Sequence, residues 1–197
     1  AGEKGKTTLE ALDTLEIYAP GAAWGQLAVA AEVKMIAGAE IALVAGTEQP
    51  VAGDGGYGLV VRPGRGKTVV AVRGGVWRAG APVARGTLDA GWRDFHLRPD
   101  LKRLAATPGP IYSMHGVPPE EQQAKLAEYT RTEAFPDQDW DNHWLHLRID
   151  LTPWQVRLWI NGNLVGSLDF PEATSGGVAL KLNRRDHVRA LRVEAVP

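Results

Sequence analysis

The sequence predicts an all-β domain, and two observations carry that prediction. The apolar segments are short, rich in Val, Leu and Ile, and separated by Gly and Pro. The 23 glycines and 13 prolines fall mostly between those segments, where turns need a positive or a fixed φ. At 197 residues the chain is expected to form a single domain, residues 1–197, since β-domains of that length commonly stay undivided.

The strand candidates follow in order: "LAVAAEVKMI", "EIALVAG", "YGLVVRP", "KTVVAVRGGVW", "RDFHLRP", "LHLRIDL", "VRLWING" and "GVALKLN". One segment departs from the pattern. In "GVPPEEQQAKLAEYTRTE", Pro118 and Pro119 precede two glutamates and a run of good helix formers, with Glu121 and Lys125 spaced to pair. A short inserted helix around 118–131 is expected there, inside a long connection from about 107 to 141.

The stretch "VRLWINGNLVGSLDF" is the most informative. Val156, Leu158 and Ile160 alternate with Gln155, Arg157 and Trp159, so one face is apolar and Trp159 points away from it. A two-residue Asn161-Gly162 loop would set Leu158 against Val165 and Val156 against Ser167, mixing core with surface. The pattern therefore predicts a three-residue loop with Asn163 left-handed, pairing Ile160 with Leu164, Leu158 with Gly166, and Val156 with Leu168. Pairing Ile149 with Val156 and Leu147 with Leu158 adds the preceding strand. That register sets His146 across from Trp159 and Arg148 across from Arg157, with Asp150 and Asp169 near enough to offset the two arginines.

These residues also carry a family likeness. A strand opening on Trp154, then "VRLWINGNLV", "GGVALKLN" and "HVRALRVEAV", resembles the C-terminal half of concanavalin A-like jelly rolls, nearest to laminin G-like modules and the bacterial 3-keto-disaccharide hydrolase family. "GPIYSMHGVPP", Gly109 to Pro119, is similar to a stretch of that hydrolase family. The likeness implies two antiparallel sheets stacked face to face, with ligands on the concave face or at the loop rim. Such folds host lectins, hydrolases and spacers alike, so function must be read from a site.

Charge and composition narrow the classes. Lys plus Arg total 22 against 23 for Asp plus Glu, which gives no long-range field for nucleic acid. Cysteine is absent, removing thiolate chemistry, disulfides and cysteine-ligated zinc. No apolar run reaches the roughly 20 residues needed to cross a bilayer. The chain opens at "AGEKGKTTLE", without an initiator Met or a signal-peptide core, and an extracytoplasmic location (periplasmic, cell-surface or secreted) is expected.

Several motifs fail on inspection. "GRGKT" has Val61 where the phosphate loop needs glycine, and it runs into a strand. "EYTRTE" lacks the middle Asp of the E-x-D-x-x-E strand of laminarinase-type jelly rolls, so the carboxylate pair of that glycosidase class is not visible. In "PDQDWDNHW", Asp137, Asp139 and Asp141 sit at alternate positions that suit calcium, although Asn142 and Arg148 occupy positions where an EF-hand has Gly and Glu. A solvated acidic loop is the plainer reading, no cofactor is indicated, and calcium is the one metal the spacing suits. His115 is the catalytic candidate, solely because it lies in the hydrolase-like stretch.

Seven tryptophans against 3 Phe and 4 Tyr point to sugar stacking, since indole packs on the C–H faces of sugar rings and nearby Arg, Asp and His serve the hydroxyls. The expected surface carries Trp159, His146, Arg157 and Arg148, with Trp144 also outside the core and Trp77 or Tyr57 at a rim. A lectin-like module without catalysis, binding an oligosaccharide or polysaccharide, is the first reading. The alternatives are a hydrolase or lyase acting on 3-keto-glycosides, and an assembly or adhesion module in which the aromatic face meets another chain or a second copy.

Overall fold

The computed structural model describes residues 8–11, 13–21, 26–36, 39–66, 68–97, 140–141, 143–172 and 176–195. These form thirteen strands: β1 (Leu9–Glu10), β2 (Leu15–Ala19), β3 (Leu27–Lys34), β4 (Ile41–Thr47), β5 (Tyr57–Pro63), β6 (Val69–Arg78), β7 (Ala81–Val83), β8 (Arg93–His96), β9 (Leu145–Leu151), β10 (Gln155–Ile160), β11 (Asn163–Asp169), β12 (Gly177–Leu182) and β13 (His187–Ala195). Every pairing is antiparallel. One sheet runs β1-β13-β3-β9-β10-β11; the other runs β2-β12-β4-β5-β6-β7, with β8 pairing the first half of β6. This is the two-sheet sandwich of a jelly roll. The expected helix, residues 118–131, lies outside the described residues.

Alternation explains how the sheets close on one core. Val29, Ala31 and Val33 of β3, Leu145, Leu147 and Ile149 of β9, and Val156, Leu158 and Ile160 of β10 are all buried. They pack in one cluster with Ile41 and Leu43 of β4, Leu59 and Val61 of β5, and Leu180 and Leu182 of β12. Each large aliphatic so buried is worth roughly 1.5–3 kcal/mol relative to exposure, which fixes which face of each strand points inward.

The β10–β11 hairpin keeps the expected core pairs, Val156 with Leu168 and Leu158 with Gly166, by a different route. The loop is two residues long: Asn161 (φ 48) and Gly162 (φ 75) are both left-handed, and Ile160 pairs with Asn163, which is already in the strand. Trp159 then pairs with Leu164, and Val165 is the extra residue of a bulge. The Asn-Gly turn matches the right-handed twist of the strands, and the bulge absorbs the odd residue that a regular ladder could not. Asn161 is itself buried, its Oδ1 accepting from His146 N (2.8 Å) and its own N–H donating to His146 O (2.8 Å).

The β9–β10 register differs from the expected one by two residues. Val156 pairs with Leu151, Leu158 with Ile149 and Ile160 with Leu147. A slip of two leaves each side chain on its own face, so burial cannot choose between the registers. The turn chooses: Thr152 N donates to Gln155 O (3.0 Å), and Gln155 N donates to Thr152 Oγ1 (3.0 Å). The expected opposition of Arg148 and Arg157 therefore does not occur. Arg157 faces Asp150 and Trp159 faces Arg148, pairs that need no outside compensation.

A second, smaller apolar layer covers part of the outside of the seven-stranded sheet. Trp77 packs there with Val44, Val51, Val60 and Ala179, and its Nε1–H donates to Val51 O (2.7 Å). The neighbouring Gly58 is required, because a Cβ there would run into the indole ring.

Candidate functional site

The outer face of the six-stranded sheet brings most of the predicted residues together. His146, Arg148 and Asp150 project from β9, Arg157 and Trp159 from β10, all with the parity opposite to the buried leucines. Asp150 is the hub: its Oδ1 accepts from Arg148 Nε (2.6 Å) and its Oδ2 accepts from Trp159 Nε1 (2.9 Å). The indole of Trp159 is half-buried, tied to Asp150 through its N–H, and outside the hydrophobic core. Arg157 Nε donates to Gln155 Oε1, and Gln155 Nε2 donates to Asp169 Oδ1 (2.6 Å), so a hydrogen-bonded row continues from β10 onto β11.

Trp144 belongs to a separate group nearer the β1–β13 edge. The Arg189 guanidinium lies 4.2 Å from its ring centroid and pairs through Nε with Glu32 Oε2 at 2.6 Å, while the His187 ring is 6.4 Å away. Such a stacked, paired arginine is held on the ring by cation–π attraction as well as charge.

The rim expectation is corrected for Trp77, which is 1% exposed beneath the 48–54 loop and presents no face to a ligand. The Tyr57 ring is equally buried, so it is no stacking surface either. Its hydroxyl nevertheless reaches the floor of a hollow of about 270 Å³ at one end of the sandwich, lined by Glu48, Gln49, Asp54, Tyr57, Arg78 and Glu172. The hydroxyl oxygen accepts from Glu172 N (3.0 Å), and burial raises the phenol above its ordinary pKa, with opposing pulls from the Glu172 N–H and Arg85. It therefore stays protonated and able to donate. Glu172 pairs with Arg85 at 2.6 Å, which holds its carboxyl below the usual range and the Arg85 guanidinium above.

Sequence reasoning missed Asp54, Arg78, Arg85 and Glu172. The glycine-rich turn "GDGGY" ahead of β5 was the available signal for Asp54. The meeting of Tyr57 with Glu172, 115 residues apart, had none. His115, Asp137 and Asp139 lie outside the described residues. Asp141 is described and half-buried, and among the described residues no three metal-ligating side chains gather. No described helix is long and apolar enough to cross a membrane.

No protein-family model matches the sequence, and no curated protein matches it. Among solved structures the chain is similar to the carbohydrate binding module CBM66 from Bacillus subtilis, at 12% identity and a TM-score of 0.48, covering 95% of this chain and 86% of that one. A variant of human galectin-16 follows at 11% identity and a TM-score of 0.46, covering 96% and 99%. Sucrose-6-phosphate hydrolase from Lactobacillus gasseri gives 12% and 0.42, covering 98% of this chain and 28% of that one. Likenesses of this size carry no argument about ligand or activity, which must come from the side chains.

Proposed function

We propose that the chain is a carbohydrate-recognition module without catalysis, working outside the cytoplasm and binding an oligosaccharide or polysaccharide on the outer face of the six-stranded sheet. The observation that carries the reading is the fixed indole of Trp159. It stands outside the core on a face that also carries Arg148, Asp150, Arg157 and Gln155, with the exposed Leu164 as its cross-strand neighbour, and it donates to Asp150. An aromatic ring that does not need to be ordered on binding, flanked by Arg148, Arg157 and Gln155, meets both requirements of a sugar: an apolar face to cover its C–H groups and polar partners for its hydroxyls.

The hydrolytic alternative gains no support from the rim hollow, because a glycosidase needs one carboxyl held protonated as general acid and Arg85 does the opposite to Glu172. One observation favours contact with another protein as a second reading: Trp154 and Phe170, 68% and 77% exposed, lie side by side, with Phe170 N donating to Trp154 O (2.8 Å).

Calorimetry against a panel of neutral oligosaccharides separates the two. Recognition on the sheet face requires that Trp159→Ala weaken binding about five- to tenfold, as loss of a stacked ring does, while Trp154→Ala leaves it unchanged. Absence of any binding, or equal binding by Trp159→Ala, would sink the proposal. A concentration-dependent mass abolished by Trp154→Ala would favour assembly instead.

A further inference from the structure

The outside of the seven-stranded sheet carries a second constellation that the sugar reading does not use. On that face the register sets Arg62 of β5, Ala71 of β6 and Asp94 of β8 in one row across three strands, with Arg73 next along β6. Trp92, just before β8, receives two guanidinium groups: Arg62 at 4.0 Å and Arg73 at 4.5 Å from its ring centroid. Two cations crowded on one ring repel each other and need negative charge close by.

Glu40 supplies only part of it. Its oxygens stand 3.7 Å from Arg62 Nη1 and 3.5 Å from Arg73 Nη2, beyond good hydrogen-bond length. Among the described residues Arg73 Nε is buried with no acceptor, a donor that costs stability when left unmade. Arg65 stands exposed at the lip, giving three arginines against the carboxylates of Glu40 and Asp94. Beside this cluster lies an open hollow of about 610 Å³, lined by Arg62, Pro63, Gly64, Arg65, Ala71 and Asp94, with Trp92 as a wall and Arg73 stacked on the same ring. The small side chain of Ala71 leaves its floor clear.

We propose that this hollow is an oxyanion-binding site, taking a carboxylate, sulfate or phosphate group carried by a ligand. Guanidinium forks already oriented by the Trp92 ring offer parallel N–H donors that match such a group, and an arriving oxyanion would supply the acceptor Glu40 does not. The site is independent of the Trp159 face, since it lies on the other sheet.

The test is titration of 15N-labelled protein with sodium sulfate, sodium phosphate and sodium glucuronate, at ionic strength held constant with sodium chloride, following the Nε–H resonance of Arg73 assigned by its loss in Arg73→Lys. A saturable shift with at least one probe is expected, and the strongest probe distinguishes a carboxylate from an ester. Affinity should fall about tenfold or more in Arg62→Gln/Arg73→Gln, read from the remaining shifts around Trp92, and about two- to fivefold in Arg65→Gln. Arg65 is exposed, so its variant keeps the test sound should the double variant fail to fold. Trp159→Ala should bind as the parent does. No saturable shift into tens of millimolar with any probe, or equal affinity in Arg65→Gln and the parent, overturns the proposal.

Discussion

Replacing Trp159 by Phe keeps an aromatic ring on the sheet and deletes the indole N–H, so it isolates the bond that orients the platform. That bond is 2.9 Å long and ends on a carboxylate oxygen of Asp150 whose partner oxygen is occupied by Arg148 at 2.6 Å. A hydrogen bond to a charged acceptor contributes about 1.5–3 kcal/mol when dry. Here the Asp150 side chain is 21% exposed and the indole half-buried, so water can replace either partner and the expected value drops to about 1 kcal/mol. The substitution also strips contact area, which has nothing to do with Asp150. A double-mutant cycle with Asp150→Ala removes that common part, leaving a coupling of about 1 kcal/mol, or a melting-temperature difference of about 2–4 °C in a chain of this size. Urea unfolding followed by far-ultraviolet circular dichroism at constant m-value measures it. A coupling within about 0.3 kcal/mol of zero would mean the indole is not held by Asp150, and the argument for a pre-oriented stacking ring would go with it.

Two further outcomes are expected. Asp186 is fully buried; its Oδ1 accepts from Ile36 N (2.9 Å) and its Oδ2 from Asn183 N (2.9 Å), tying the β12–β13 turn to the end of β3. Asp186→Ala strands both N–H groups, at about 1–3 kcal/mol each, so thermal unfolding should show roughly 2–6 kcal/mol of lost stability, and a loss below about 1 kcal/mol would contradict the account. For Glu172, the Arg85 partner lowers the folded-state pKa, so its contribution is present above the unfolded pKa and fades as pH falls through the lowered folded value. Arg85→Gln should return the carboxyl toward its ordinary range in a carbon-13 titration, and an unchanged Glu172 curve would show that the ion pair does not set it.

By itself the sequence determined most of the longer strands, though not β1, β2 or β7, and the inward faces of β9 and β10, because burying Val156, Leu158 and Ile160 together is possible only at a period of two, and that same period sends Trp159 outward. It also determined that the hairpin core pairs Leu158 with Gly166. What it left open was every choice that preserves alternation. A two-residue slip between β9 and β10 buries the same side chains, so the hydrogen bonds of Thr152 and Gln155 in the turn decided that Trp159 faces Arg148 and Arg157 faces Asp150. The Asn-Gly turn and the bulge at Val165 reach one core register by a path that a regular ladder does not contain. Alternation likewise sends Trp77 to the outside of its sheet but says nothing of what lies over it, and only the folded 48–54 loop made that position interior. The rim hollow and the Arg62–Trp92–Arg73 cluster have the same origin: their members come from different strands and loops, and hydrophobic period carries no information about which charged residues a fold brings side by side.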